Sequence, residues 1–439
     1  MSITLSARPR AASAARYPQA LLHHIVAPAL RLPDAAAPSV FSAARLRGPI
    51  ARDVIAQVTG LSIATVNRQV TALLDVGVLR ERADLAVSGA IGRPRVPVEV
   101  NHEPFLTLGV HIGARTTSIV ATDLLGRTLD MVETPTPRGP QSAALTAIAG
   151  SARRYLMRPP RAGGVPRHRR RPLWVGVAAG GVVDSATGHL DHPRLGWSDA
   201  PVGPVLADAL GLPVSVASHV DAMAAAELLL GVRRRPAGAA TSLYVYARET
   251  VGYALSIGGQ VHSPASGPGT IARLPASSEL LGGTGELEST VSDEAVLVAA
   301  RKAGIIPADG PKSTVTAVLR AAREGNERAV ALVSERARVL GEAVALLRDM
   351  LNPDDLVVGG QAFTEYPEAM GIVESAFAAR SVLPARDIRV TVFGNRVQEA
   401  GAGVVSLGGI FADPIGAMRR AQRTRGANLI LPRRPEVSA

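Results

Sequence analysis

Two stretches of the chain carry residues whose types and spacing suit chemistry. In "GVHIGARTTSIVATDLLGRTL" (109–129) a glycine-bearing turn separates two apolar runs. Turns of this kind bring backbone amides against phosphates, and here they place His111, Gly113, Arg115 and Thr116 where an anion would sit. The second stretch is "RDVIAQVTGLSIATVNRQVTALLDVGVLRER" (52–82). Gly60 can supply a left-handed turn after one helix, and Ser62 is a good N-cap for the next. Ile63, Val66, Val70 and Leu73 then recur at spacings of three and four, which predicts one buried stripe. Arg68 lies nearly opposite that stripe, with Ala64, Thr65, Thr71 and Ala72 beside it and Asn67 and Gln69 flanking. A small, polar face with one cation suits a helix entering a major groove.

The elements around that helix fit the same reading. "GVLRER" and "VPVEV" read as two strands of a wing joined by a loop containing "GRPR" (92–95). Arg93 and Arg95, held extended around Pro94, suit phosphates or a narrow minor groove. The first 100 residues carry twelve arginines against six acids, which favours a nucleic-acid partner over a helical hairpin used for protein contacts with its arginines merely solvated.

The 439 residues suggest two or three domains at about 150 residues each. Apolar residues make up 47%, enough for large cores, and the net charge of +11 favours an acidic partner. With no cysteine, disulfides, thiolate catalysis and Cys-ligated zinc are excluded for this chain. No apolar run reaches the roughly 20 residues needed to span a bilayer, and the N-terminus lacks a signal-peptide core, so a cytoplasmic location and no membrane partner are expected. The texture predicts a flexible extension over 1–38 and a winged helix-turn-helix over 39–100. A βαβ-type unit follows over 101–412, then a loosely held basic tail over 413–439. A basic Pro/Gly-rich insertion at 158–172 reads as a surface loop.

From 39 to about 412 the chain resembles the ROK family of repressors, open reading frames and sugar kinases, in its regulator branch. The segments that carry the resemblance include "TGLSIATVNRQVTALLDVGVL", "GRPRVPVEVN", "LGVHIGARTTSIVATDLLG", "GVAAGGVVDSATGHL", "MAAAELLLG" and "LNPDDLVVGG". The resemblance implies an α/β fold in which a winged helix precedes a two-lobed, actin/hexokinase-like (ribonuclease H-like) domain. It also shows where the family's pattern fails. The Asp that positions Mg-ATP in the kinases reads His111, and the following Thr-Lys reads Arg115-Thr116. The catalytic base, eight residues before a helical Glu, reads His219 counted back from Glu227, with Asp221 two residues on. The sugar-binding Asn reads Arg194, and the Glu and His of a further sugar motif read Thr270 and Arg273. The zinc cysteines align with Glu279, Leu281 and Glu286, and two carboxylates make a poor tetrahedral zinc site.

These departures predict that phosphoryl transfer is lost. No catalytic residue, metal or cofactor is assigned. Arg194, His219, Thr270 and Arg273, with Asp221 nearby, predict a donor-rich cleft for a small anionic, sugar-derived effector; an unused cleft is the alternative. The leading expectation is a sequence-specific transcriptional regulator whose kinase-like body makes a homodimer or higher oligomer on a pseudo-palindromic operator. A divergent sugar or amino-sugar kinase with an attached DNA-binding domain is the second reading. A regulator without an effector is the third.

Overall fold

A computed structural model of the chain describes residues 24–86, 96–157, 170–231, 236, 238–264, 266–308, 314–384 and 386–430. Three helices open it: α1 (Ala36–Arg47), α2 (Arg52–Thr59) and α3 (Ile63–Asp75). Gly60 takes φ 69° between α2 and α3, the left-handed conformation that glycine adopts without a Cβ penalty. Strands β1 (Leu79–Glu81) and β2 (Val98–Val100) then pair antiparallel, Leu79 opposite Val100.

The first lobe holds β3 (Phe105–Ile112), β4 (Thr116–Thr122), β5 (Thr128–Pro135), α4 (Gln141–Met157) and β6 (Arg171–Ala179). A small sheet follows, made of β7 (Val182–Asp184), β8 (His189–His192) and β9 (Trp197–Ala200). Helix α5 (Val202–Leu210) and β10 (Val214–Ser218) close the lobe, whose main sheet runs β10-β6-β3-β4-β5. Helix α6 (His219–Leu229) leads to the second lobe. That lobe starts with β11 (Thr241–Ala247), β12 (Val251–Ile257), β13 (Gln260–Val261) and β14 (Gly269–Thr270). Helices α7 (Leu287–Val291), α8 (Asp293–Lys302), α9 (Val315–Arg323) and α10 (Glu327–Leu351) come next. Strand β15 (Asp355–Gly359), α11 (Gln361–Thr364), α12 (Met370–Arg380) and β16 (Arg389–Val390) complete it. Its sheet runs β13-β12-β11-β15-β16, with β14 on β12. The described residues end in α13 (Val397–Ala412) and α14 (Pro414–Ile430).

Glycines decide how α13 meets the first lobe. A Cβ at Gly176 of β6 would stand 2.1 Å from the Ser406 backbone nitrogen, and one at Gly109 of β3 would stand 2.7 Å from that of Gly403. Only bare backbone lets helix and sheet approach this closely. Ser406 and Thr107 share a buried hydroxyl contact at 2.7 Å in the same seam.

Two boundary expectations are corrected. Residues 24–35 are not a loose extension, whereas 1–23 lie outside the described residues. Val26 N donates to Val214 O at 2.9 Å and Val261 N donates to Leu30 O at 2.9 Å, so one short segment adds to an edge of each lobe's sheet. Ile25 and Leu30 are buried beneath it. Composition hid this because the pairing partners lie hundreds of residues away. The expected tail begins instead as a helix: Ala417, Met418 and Ala421 of α14 are buried in a core shared with α1 and α3. Among the described residues no single helix is long and apolar enough to cross a membrane. The insertion at 158–172 lies outside them except for 170–172.

The joint between the N-terminal unit and the body is a continuous apolar core. The ring of Phe41 on α1 meets that of Phe411 on α13 at 6.2 Å. The Arg45 guanidinium sits 4.5 Å from the Phe411 centroid and donates to Leu229 O, the last carbonyl of α6, at 2.9 Å. Burial pushes the Arg45 pKa down to about 10.

Candidate functional site

The helix-turn-helix face forms largely as its spacing predicts. Ser62 Oγ accepts from Thr65 N at 3.2 Å, and the two hydroxyls are 3.0 Å apart, so the N-cap is made. Val66, Val70 and Leu73 are fully buried. Ile63 departs from the expected stripe: it is 49% exposed, because it sits in the first turn of α3, at the rim of that stripe. Ala64, Asn67, Arg68 and Thr71 are exposed, and Thr65 and Gln69 half-buried. Arg52 of α2 reaches Asn67 Oδ1 at 3.4 Å and Glu81 at 2.9 Å, so Asn67 is partly committed within the unit.

The wing arginines among the described residues are neutralised locally. Arg80 pairs with Glu99 and Glu103, and Arg82 with Asp84 and Glu99. Arg68 has no ion-pair partner among the described residues, which makes it the available cation on α3. Arg93 and Arg95 lie outside the described residues.

The interlobe cleft is filled at its centre by rings. His111, at the end of β3, stacks on His219 at the start of α6 with centroids 6.1 Å apart and planes 10° apart. His219 in turn meets Tyr246 of β11 at 5.2 Å. Neither nitrogen of His111 has a hydrogen-bond partner, and its pKa is driven well below the usual histidine range, first by burial and then by the neighbouring His219 ring, which disfavours a second proton beside it. Burial, with His192 and Arg194 adding, pushes His219 down to about 4. Both imidazoles are therefore neutral at pH 7. A buried base of that pKa is poorly matched to accept a proton from a sugar hydroxyl at neutral pH.

The remaining positions do not assemble the expected cationic pocket. Arg194 is paired across the cleft with Glu288 of α7 at 2.7 Å. Thr270 is spent on local backbone, donating to Val251 O at 3.4 Å and accepting from Ala272 N at 3.2 Å. The Arg273 side chain is 88% exposed and points away, 4.0 Å from Glu286, a pair that holds little in water. The zinc-like loop is fastened instead by buried Leu281 and by Ser289, whose hydroxyl accepts from Thr284 N at 2.9 Å. Arg115 is a second crosslink between the lobes, 2.9 Å from Glu294 and 3.6 Å from Glu249. Gly113 N donates to Thr116 O at 2.9 Å, closing the turn on itself.

A cavity of about 220 Å3 on the other side of the ring column is lined by Glu133, Glu365, Glu399 and Arg248. The Ser118 hydroxyl stands between Glu133 Oε2 at 3.4 Å and Glu399 Oε1 at 3.3 Å. Burial, then the charge of Glu133, raises the Glu399 pKa. Three carboxyls around a single arginine disfavour a polyphosphate. Arg248 itself is tied to Gln398 at 2.6 Å, and Gln398 to the Tyr246 hydroxyl at 2.7 Å. Sequence reasoning missed Arg248, Tyr246, Gln398 and Glu399; the available signal was an arginine directly after the all-buried end of β11.

A winged helix built onto a two-lobed, kinase-like body defines the class. The family model described as "ROK family" matches residues 107–403. A transcriptional regulator of Mycobacterium tuberculosis is 72% identical over 405 residues, covering 91% of each chain. The DNA-binding transcriptional dual regulator NagC of Escherichia coli is 22% identical over 326 residues, 72% of this chain and 77% of that one. Among solved structures, a ROK family transcriptional regulator described as a homolog of the Escherichia coli MLC protein aligns with TM-score 0.69 at 20% identity, over 88% of this chain and 96% of that one. A ROK family glucokinase from Streptomyces griseus aligns with TM-score 0.58 at 22% identity, over 69% and 99%. The chain belongs to the ROK family.

Proposed function

We propose that this chain is a DNA-binding transcriptional regulator of the ROK type whose kinase-like body no longer transfers phosphate. The observation that carries the reading is the capped helix α3, which leaves Arg68 exposed and unpaired among the described residues while its opposite face is buried. The name of the Mycobacterium tuberculosis relative supports it. Arg68, Thr65, Gln69 and the free side of Asn67 would meet base edges, and half-exposed Ile63 would meet a thymine methyl. A two-fold oligomer of the body would present two such helices to a pseudo-palindromic operator. The cytoplasm is the compartment this work requires.

Genome-wide DNA capture with the purified protein at near-physiological salt tests the reading. Discrete sites with an inverted repeat are expected. Arg68→Ala should lose them, because a good bidentate arginine contact carries about 1–3 kcal/mol of base discrimination. Diffuse, salt-sensitive capture that the variant leaves unchanged would overturn it.

Loss of phosphoryl transfer is the second part of the proposal. It rests on the neutral His111–His219 stack where the family's kinases carry carboxylates, and on the carboxyl-lined cavity beyond it. ATP turnover across a sugar panel is expected to stay at background, and sugar-dependent turnover would revive the kinase reading.

A further inference from the structure

An unassigned cavity lies on the other face of the α6 N-terminus from the ring column. It holds about 360 Å3 between β7–β9, the start of α6 and the loop after β13. His219, Arg194, Thr270 and Arg273 do not line it, whereas Asp221, and Ser218 next to the base position, do. Four carboxyls line it, Asp184, Asp191, Asp199 and Asp221, beside His189 and the hydroxyls of Ser185, Ser218 and Ser263, with no lysine or arginine among the described residues. Its volume falls at the lower end of small-molecule sites, about 300–1,000 Å3.

Three of the carboxyls are oriented by the protein but keep capacity to spare. Asp184 Oδ1 accepts from Ala186 N and Thr187 N, at 3.0 and 3.3 Å. Asp191 Oδ1 accepts from Asp199 N at 2.6 Å, and Asp199 Oδ1 meets His189 Nδ1 at 2.8 Å. Each side chain has a second oxygen, and an ionised carboxylate offers about four lone-pair sites. Asp221 is different. It is 5% exposed, and its Oδ1 has no hydrogen-bond partner. A buried carboxyl oxygen without a donor is costly unless something supplies one. Burial is the main reason its carboxyl is held up at about 6.

We infer that this cavity is a binding site for a small organic cation bearing a primary amine, whose ammonium group donates to the Asp221 carboxylate while Asp184, Asp191 and Asp199 complete the acidic wall. Its charge is opposite to that of the anionic ligand the sequence suggests for the neighbouring cleft, where Arg194 is paired with Glu288 and Arg273 is turned outward. Pro28, from the segment that bridges the two lobes and leads into α1, lines the same cavity. Calling the ligand an effector rests on the regulator reading; its binding does not.

Calorimetric titration of the full chain without DNA separates the two. The probes are putrescine and glucosamine, against glucose, glucose 6-phosphate and Mg2+ at matched ionic strength. Saturable heat is expected for at least one amine and not for the neutral sugar, the phosphate ester or the metal. Asp221→Asn should weaken amine binding by roughly tenfold or more, as expected for loss of a hydrogen bond to a charged group. Asp199→Asn, at a well-exposed side chain, should weaken it severalfold and guards against a folding defect in the first variant. Silence from both amines, equal binding of glucose, the phosphate ester or Mg2+, or amine binding that neither variant changes would overturn the site. Failure of the DNA capture would leave a positive titration standing.

Discussion

Replacing Phe411 by alanine should lower stability by about 3–5 kcal/mol, the usual cost of truncating a buried phenylalanine. The ring is 4% exposed and joins two parts of the molecule: it packs on Phe41 of α1 and lies under the Arg45 guanidinium. Removing it opens a cavity at the joint and takes away the aromatic face beneath a cation that burial already disfavours. Thermal melting should show a lower first transition, and operator affinity should fall although no DNA-facing residue has changed. Arg45→Met, which keeps the stem packing and loses the bond to Leu229 O, should cost less. An unchanged melting profile for Phe411→Ala would mean that the N-terminal unit and the body do not share a core in solution.

The second large effect is a pair of opposite pH dependences, read as differences between wild type and variant. His219 titrates near 4 in the folded chain and at an ordinary 6.5 when unfolded. Above 6.5 neither state binds the proton, so nothing is lost. As pH falls from 6.5 towards 4 the unfolded state takes it up first, and stability drops. Relative to His219→Gln, wild type should therefore lose roughly 3 kcal/mol across that window. Asp221 has the reverse sign. Its folded pKa of about 6 lies above the unfolded 3.8, so as pH falls through 6 the folded state takes up the proton first. Relative to Asp221→Asn, wild type should gain stability between pH 6 and 3.8. Denaturant melts at closely spaced pH values give both differences. Parallel curves for wild type and His219→Gln would mean that the ring stack opens to water.

What the sequence alone determined is local or repetitive. The left-handed turn at Gly60, the Ser62 cap and the stripe Val66, Val70, Leu73 act within a turn or two of chain, where backbone sterics and a short side chain suffice. The family fold was legible for a related reason: glycines at strand ends and the long, mostly apolar runs of β3 and β6 leave few ways to stack a helix on a sheet. The tertiary structure alone decided which charges are available. Arg194 meets Glu288 from 94 positions away, and Arg45 meets the carbonyl of Leu229 from 184 away. No spacing rule reaches that far, so counting arginines could not show which of them are paired. The same distance hid residues 24–32, whose hydrogen bonds are to Val214, Gly259 and Val261, and the core face of α14. It also hid Asp221: that its carboxyl is buried against a cavity depends on where β7–β9 and the loop after β13 come to lie, and their packing fixes that position.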